Sequence, residues 1–202
     1  MISAKARASY HHGDLEAALV ATARKAIKKN GVEHLSLRQV AQEIGVSASA
    51  VYHYFPDRDS LLASVGFSLF EELADYQDKK LSQIFGTSVR AVRERFRTLG
   101  LTYFEWALKE PNLFNFMFSG FCLVDPQNQQ MKRNESRAFN NLSKCLDDLL
   151  EVGALNKKMR PYGEILAWSA VHGATSLIVS GHLEPEQYET TLDGIELSLG
   201  IR

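Results

Sequence analysis

The sequence predicts an all-α protein, and three observations support this fold class. Apolar residues recur three and four positions apart in successive segments, and no segment shows the strict alternation typical of a strand. Glycines that favour left-handed turns separate several of these segments, as at Gly31, Gly45 and Gly153. Residues 57–84 carry an unbroken apolar stripe, which predicts one helix of about twenty-five residues, or ~38 Å at about 1.5 Å per residue.

The N-terminal part of the chain divides into an arm and a helix. Residues 1–13 are polar and weakly basic, and disorder is the simplest interpretation of this arm. Asp14 then caps a predicted helix that ends at Asn30-Gly31. The apolar stripe of this helix consists of Leu15, Ala18, Leu19, Ala23, Ala26 and Ile27.

Residues 36–55 predict two short helices joined by a tight turn. Ser36 is a good N-cap for the first helix, and Gln39 three residues later completes a capping box. Gly45 supplies the left-handed residue that ends this helix, and Ser47 caps the second one. Together with the preceding helix, these elements predict a three-helix head.

The second short helix has one inward position and an open outer side. It ends at Phe55 because the proline that follows disfavours a helical conformation there. Val51 is the inward position, and helical spacing then leaves the outer side to Ala48, Ser49, Tyr52 and His53. A helix this short is not expected to be present for stability alone.

These segments together resemble the DNA-binding helix-turn-helix of the tetracycline-repressor (TetR) family of bacterial transcriptional regulators. After the arm over 1–13, the resemblance implies a DNA-binding head over 14–56 and a helical ligand-binding and dimerisation domain over 57–202. It implies a homodimeric repressor that a small-molecule effector releases from a palindromic operator. A sensor or an activator of the same fold is the alternative. The matching residues are Asn30-Gly31, Leu35 to Ala41, Gly45 to Ser47, Val51 to Phe55, and Asp57 to Leu62.

Ten residues form the predicted DNA-contact set. The resemblance assigns base edges to Ala48, Ser49 and Ala50, and phosphates to Tyr52, Tyr54 and Arg58. Small side chains at the helix tip offer few hydrogen bonds, so specificity is expected to depend partly on DNA shape. In the arm, Lys5, Arg7 and His11 or His12 could reach phosphates or a minor groove. The full set is Ser36, Arg38, Ser47, Ala48, Ser49, Ala50, Tyr52, His53, Tyr54 and Arg58.

Two members of this set have their own arguments. Arg38 aligns with a base-reading arginine of the family and could bind a guanine bidentately, with a solvated surface charge as the alternative. Ser47 and the exposed amides at the start of the second short helix favour an anion, so a phosphate is expected there.

The remaining segments predict further helices and an aromatic ligand pocket. Helices are expected over 88–110 and 113–118, from Pro126 to Val152, and from Pro185 onward. Clustered aromatics with methionine suit an apolar cavity, although ordinary core formation is the alternative for each residue. Few charges lie among them, which favours a neutral, largely apolar ligand. The predicted ligand contacts are Tyr103, Trp106, Phe114, Met117, Phe118, Phe121, Trp168 and His172.

Residues 165–181 carry the last informative motif. Trp168 and His172 lie four positions apart, on one helix face, with Gly173 beside them. This pattern resembles the Trp-His-Gly C-terminal subtype of the same family, whose two final helices would pair across a four-helix dimer interface. His172 is either an interior histidine or a ligand contact, and burial within one subunit is the alternative for the whole group. The predicted interface residues are Gly173, Leu177, Tyr188, Leu192, Ile195 and Leu199.

Composition and missing motifs exclude other classes. The 202 residues carry a net charge of −1, with a mildly basic first sixty residues and a mildly acidic remainder. The two cysteines form neither a metal pattern nor a disulfide framework, and no apolar stretch is long enough to span a bilayer. No phosphate loop, paired histidine motif or nucleophile elbow is present. The sequence therefore predicts a cytoplasmic protein that is not an enzyme and has no metal, cofactor or membrane partner.

Overall fold

The computed structural model describes residues 12–120 and 136–202, with side chains from Leu15 onward. Within these ranges every regular element is a helix, which confirms the all-α prediction. A single turn of 3-10 helix at Arg160–Tyr162 precedes α8. The α-helices are α1 (His12–Asn30), α2 (Leu37–Ile44), α3 (Ala48–Tyr54), α4 (Arg58–Leu81), α5 (Val89–Lys109), α6 (Pro111–Met117), α7 (Arg137–Glu151), α8 (Gly163–Val179) and α9 (Gln187–Leu199).

The head consists of α1, α2, α3 and the first turns of α4. Leu19, Ile27, Val40 and Val51 are at most 1% exposed and form the centre of its core. This burial follows the predicted apolar stripes, because each helix turns one face towards the other two.

α1 begins at His12, two residues before the predicted cap Asp14, so that prediction was wrong. The predicted caps of α2 lie where the sequence placed them, with one difference in detail. The hydroxyl of Ser36 accepts a hydrogen bond from the amide of Gln39 at 3.2 Å, and Gly45 adopts a left-handed φ of 81°. The Ser36 hydroxyl also lies 3.0 Å from Gln39 Oε1 and donates to it. The side chain of Gln39 therefore accepts from the cap's hydroxyl rather than from its backbone amide.

The long helix α4 connects the head to the rest of the protein. Asp57 and Ser60 cap it reciprocally, each side chain bonding the other's backbone. It ends at Leu81, three residues before the predicted Ile84, and its 24 residues span ~36 Å at about 1.5 Å each.

The body is a bundle in which α4 packs against α5 and α7, while α8 packs against α5 and α9. α5 follows the predicted range closely, and α6 begins at Pro111, where the missing amide hydrogen is harmless. Ser136 caps the described part of α7, whereas the predicted helix start at Pro126 lies outside the described residues. No helix among the described residues is both long and apolar enough to cross a membrane.

Candidate functional site

One buried side chain and the caps at its two ends, Ser47 and Phe55, hold α3 in place. The rest of the helix presents an open surface. Of its seven residues only Val51 is buried. Ser47 accepts a hydrogen bond from the amide of Ala50 at 3.2 Å and shares a second with the hydroxyl of Ser49 at 2.9 Å. Ala48 and Ser49 are exposed, so the small tip of the helix is accessible to a large partner.

Aromatic and charged groups flank this tip. Tyr52 is 47% exposed, and exposed His53 meets half-buried Tyr54 edge to face, with 5.5 Å between ring centroids. Arg38 is exposed on the first turn of α2. A guanidinium, a phenol and an imidazole are groups that bind phosphates and base edges, and all three are exposed on the head.

Arg58 has a structural role in the head besides its predicted phosphate contact. Its Nε donates to the carbonyl of Leu35 at 3.0 Å, and one terminal nitrogen donates to the carbonyl of Val32 at 2.6 Å. These bonds fasten the loop between α1 and α2 to the start of α4. Arg58 therefore positions the head, and its predicted phosphate contact stays a prediction.

A cavity of about 90 Å³ lies inside the body, between α4, α5, α7, α8 and α9. Tyr103, Phe118 and Trp168 of the predicted ligand set are in its wall. The wall contains no charged side chain among the described residues. Its lining residues are Phe70, Leu73, Gln77, Phe96, Leu99, Gly100, Tyr103, Phe118, Ser136, Ala138, Phe139, Leu142, Ala167, Trp168, Val171, Leu192 and Ile195.

Four predicted ligand contacts among the described residues are not in this wall: Trp106, Phe114, Met117 and His172. Trp106 follows Tyr103 by three residues but turns towards α4, where its Nε1 donates to Glu72 at 3.1 Å. Phe114 and Met117 are 2% and 0% exposed and belong to the core around α6. Sequence clustering could not separate them from wall residues, because the core and the wall use the same residue types. Phe121 lies outside the described residues.

His172 lies beside the cavity in an aromatic cluster rather than in the wall itself. Its Nδ1 is 2.8 Å from the hydroxyl of Tyr103. The ring centroids of Phe118 and Phe114 are 4.4 and 5.7 Å from its own. This arrangement agrees with the interior histidine that the sequence left open, one layer behind the wall.

The wall also contains residues that the sequence interpretation missed. Gln77 follows Leu69 and Leu73 on α4 at intervals of four, so it is a polar residue on an apolar stripe. This polar interruption of an apolar stripe could have been recognised in the sequence. Phe139 and Leu142 of α7 gave no comparable signal, because nothing in their spacing shows which helix they face.

Four residues predicted at the dimer interface are buried in their own subunit. Leu192 and Ile195 line the cavity, and Leu199 is fully buried. Tyr188 stacks on Phe104 at 4.0 Å between ring centroids and donates to the carbonyl of Gly100 at 2.7 Å. Its burial raises the pKa of the Tyr188 phenol well above the ordinary value. The interface prediction is therefore wrong for these four, because the apolar stripe of α9 faces α5 and α8.

The sides of α8 and α9 that lie opposite their buried stripes are exposed and partly apolar. Leu177 is 44% exposed and Leu197 is 80% exposed. A Cβ added at Gly173 or Gly194 would meet nothing within 4 Å, so both glycines open outward. We call this surface the α8–α9 outer face, defined by Ile165, Leu166, Gly173, Leu177, Gly194 and Leu197.

Two ion pairs connect α1 of the head to the body. Arg24 contacts the Glu72 carboxylate at 2.5 Å, and the other oxygen of Glu72 accepts from Trp106. Lys28, one turn further along α1, donates to Glu110 Oε1 at 2.6 Å. The head is therefore joined to the body through α1 as well as through α4.

Comparison with known proteins agrees with this arrangement. Residues 19–65 match a model described as bacterial regulatory proteins of the tetR family, and residues 96–195 match one described as a tetracyclin repressor-like C-terminal domain. The HTH-type transcriptional regulator Rv1816 of Mycobacterium tuberculosis is 37% identical over 65 residues, which are 32% of this chain. The matched region spans only 28% of that relative's length.

Solved structures share the fold over nearly the whole chain. A protein of unknown function from Rhodococcus sp. RHA1 is 25% identical with a TM-score of 0.73, covering 96% of this chain and 100% of its own. A TetR family transcription regulator from Marinobacter aquaeolei VT8 is 22% identical with a TM-score of 0.63, covering 93% and 96%. The second likeness supports the fold alone.

The two matched models define a transcription regulator of the helix-turn-helix class rather than an enzyme. The chain belongs to the TetR family, since models of that family match both the head and most of the body. The Trp-His-Gly subtype stays a resemblance, because the matched C-terminal model carries a more general description.

Proposed function

We propose that the protein is a homodimeric repressor that leaves a palindromic operator when a small, largely apolar ligand fills the cavity. One observation supports this most directly: α4 belongs to both sites. Leu61, Leu62 and Val65 are fully buried near its start, in the head, and Phe70, Leu73 and Gln77 further along line the cavity. A change at the cavity wall is therefore carried by a continuous helix to the DNA-binding surface.

The head supports the DNA part of this proposal. In a dimer the two α3 helices would enter successive major grooves, about 34–36 Å apart. Arg38 would read a base, while Tyr52 and Tyr54 would contact phosphates. Such a regulator would act in the cytoplasm, where its operator lies.

The α8–α9 outer face supports the dimer. It presents exposed leucines around glycines that leave room for close approach of a second helix. Two such helices from each subunit would form a four-helix contact about a twofold axis.

Ligand binding would act by shifting a population. The DNA-bound spacing of the heads and a second spacing would interconvert, and the ligand would favour the second by binding it more tightly. The α1 ion pairs would keep the head moving with the body rather than independently of it.

The test is an anisotropy titration of the dimer with its own upstream intergenic DNA at two salt concentrations. We expect tight binding to one palindromic segment, a loss of affinity at higher salt, and release by a member of a library of small neutral compounds. Binding to no palindromic DNA at low salt would favour the sensor alternative. Tighter DNA binding in the presence of the compound would favour an activator or a co-repressed regulator.

A further inference from the structure

Gln77 is a buried amide in an otherwise largely apolar wall. It is 5% exposed and contributes to the cavity lining from α4. Its Oε1 lies 3.5 Å from Nδ2 of Asn141, at the long limit of a hydrogen bond. Its Nε2 makes no hydrogen bond to any part of the chain that the structure describes. The nitrogen is not among the sealed polar atoms of the described residues, so it is an accessible donor that a ligand or water can satisfy.

The orientation of the Gln77 amide follows from its neighbours. Nδ2 of Asn141 lies 2.8 Å from the carboxylate of Asp78, which can only accept a hydrogen bond when ionised. The amide nitrogen of Asn141 must therefore face Asp78, and the same nitrogen faces Gln77. Gln77 consequently presents its oxygen to Asn141, and its nitrogen donates to nothing in the ranges that the structure describes.

The other polar groups of the wall also have contacts within the protein, and the indole of Trp168 meets the rings of Phe139 and His172. The hydroxyl of Ser136 caps α7 by accepting from the amide of Phe139 at 3.3 Å, which leaves its own hydrogen as a second donor at the start of α7. The hydroxyl of Tyr103 is hydrogen-bonded to His172. With no charged side chain in the described wall, nothing there would compensate a charge on the ligand.

We propose that Gln77 is the polar anchor of the effector, and that the effector is a small neutral molecule with an apolar body and one hydrogen-bond acceptor, such as a carbonyl oxygen. The acceptor receives the hydrogen bond from Gln77 Nε2, and the apolar body fills the rest of the cavity. This inference rests on the proposed function only in taking the cavity as the effector site.

The position of Gln77 also gives the ligand a mechanical contact. Asn141 links Gln77 and Asp78 of α4 to α7, and Arg137 binds Asp78 at 3.2 Å and also Asp75. A ligand that accepts a hydrogen bond from the Gln77 amide therefore acts directly on the junction between α4 and α7.

The test uses acetophenone and α-methylstyrene, which have nearly the same shape. Acetophenone has a carbonyl oxygen where α-methylstyrene has a methylene group. Calorimetric titration gives the two dissociation constants for the dimer and for Gln77→Met, which keeps the side-chain length. The ratio of α-methylstyrene to acetophenone constants should fall by about two- to tenfold in the variant, as expected for one lost neutral hydrogen bond. Differences in hydration between the probes cancel in this comparison.

Gln83→Met is the matched control, because it makes the same change at an exposed residue just after α4. The ratio of the two dissociation constants for Gln83→Met should equal that of the parent protein. Gln77→Leu provides a second variant if Gln77→Met does not fold. An unchanged ratio in the folded variant, or binding of neither probe to the parent protein, would overturn the proposal.

The outcome can be separated from that of the proposed function by measuring operator release with acetophenone in parallel. If the ratio of the two dissociation constants depends on Gln77 but acetophenone does not release the operator, Gln77 is the polar anchor and the inducer-release mechanism is contradicted. If acetophenone releases the operator but the ratio of dissociation constants is unchanged in Gln77→Met, inducer release is supported and the role of Gln77 as anchor is overturned.

Discussion

At the residue scale, two arginines of the head show how similar side chains take different roles. Arg58 donates to the carbonyls of Val32 and Leu35, so its charge braces a loop. Arg38 is exposed on the first turn of α2, on the helix that precedes α3. The difference lies in what surrounds each guanidinium, not in its position within a motif.

Arg38→Ala should weaken operator binding by about 1–3 kcal/mol and relax the preference at one base pair, because a bidentate contact to guanine is lost. Anisotropy titrations against single-base operator variants measure both effects. Arg90→Ala, which removes an exposed arginine of α5, is the matched control and should leave affinity unchanged. Unaltered affinity and base preference in Arg38→Ala would refute the base-reading role.

Cys145 should resist alkylation in the native protein. Burial raises the pKa of its thiol to about 12, and nearby Asp148 adds to the effect. Since the thiolate is the nucleophile, very little reactive form is present at pH 8. Peptide mass spectrometry after iodoacetamide treatment should find Cys145 unmodified in buffer and modified in urea. Rapid modification of the folded protein would contradict its burial.

At the element scale, the head is joined to the body by two helices rather than one. α4 runs through both, and α1 is held by Arg24 on Glu72 and by Lys28 on Glu110. Glu110 is only 7% exposed, and its second carboxylate oxygen is buried with no hydrogen bond among the described residues. Lys28 therefore supplies most of the compensation for a buried charge.

Lys28→Met should lower the free energy of unfolding by about 1–3 kcal/mol, because it leaves the Glu110 carboxylate without its partner. Urea denaturation measures the change. Lys29→Met, at the exposed neighbouring position, should have little effect. Adding Glu110→Gln to Lys28→Met should recover part of the loss, so additive effects in this double-mutant cycle would argue against the pair.

At the scale of the whole molecule, the apolar surface that remains exposed lies partly on the α8–α9 outer face. Leu197 is 80% exposed, and the neighbouring glycines leave space above the helices. Exposed leucines around small residues are typical of surfaces that pair with a second copy. The buried stripe of α9 instead holds the cavity wall in place.

Leu177→Glu and Leu197→Glu should each convert the proposed dimer to monomer, because a carboxylate would be desolvated against its symmetry mate. Sedimentation velocity gives the mass directly. Leu108→Glu changes a similarly exposed leucine of α5 and should leave a dimer. Dimers in both α8–α9 variants would move the interface to another surface.

Helix positions and caps could be predicted because they depend on neighbours in the sequence. The caps at Ser36, Ser47 and Asp57 satisfy amides three residues away, and Gly45 needs only its own backbone freedom. The end of α4 was misplaced by three residues, since its apolar stripe continues to Ile84 beyond the last helical turn.

The sequence by itself determined the all-α class, the helix-turn-helix and the open outer side of α3, since local spacing and capping carry that information. Only the tertiary structure decided that Leu192 and Ile195 face the cavity, that Arg58 braces a loop and that the Nε2 of Gln77 makes no hydrogen bond within the described residues. An apolar stripe shows that a helix face is buried, but what buries it depends on contacts between residues far apart in the chain.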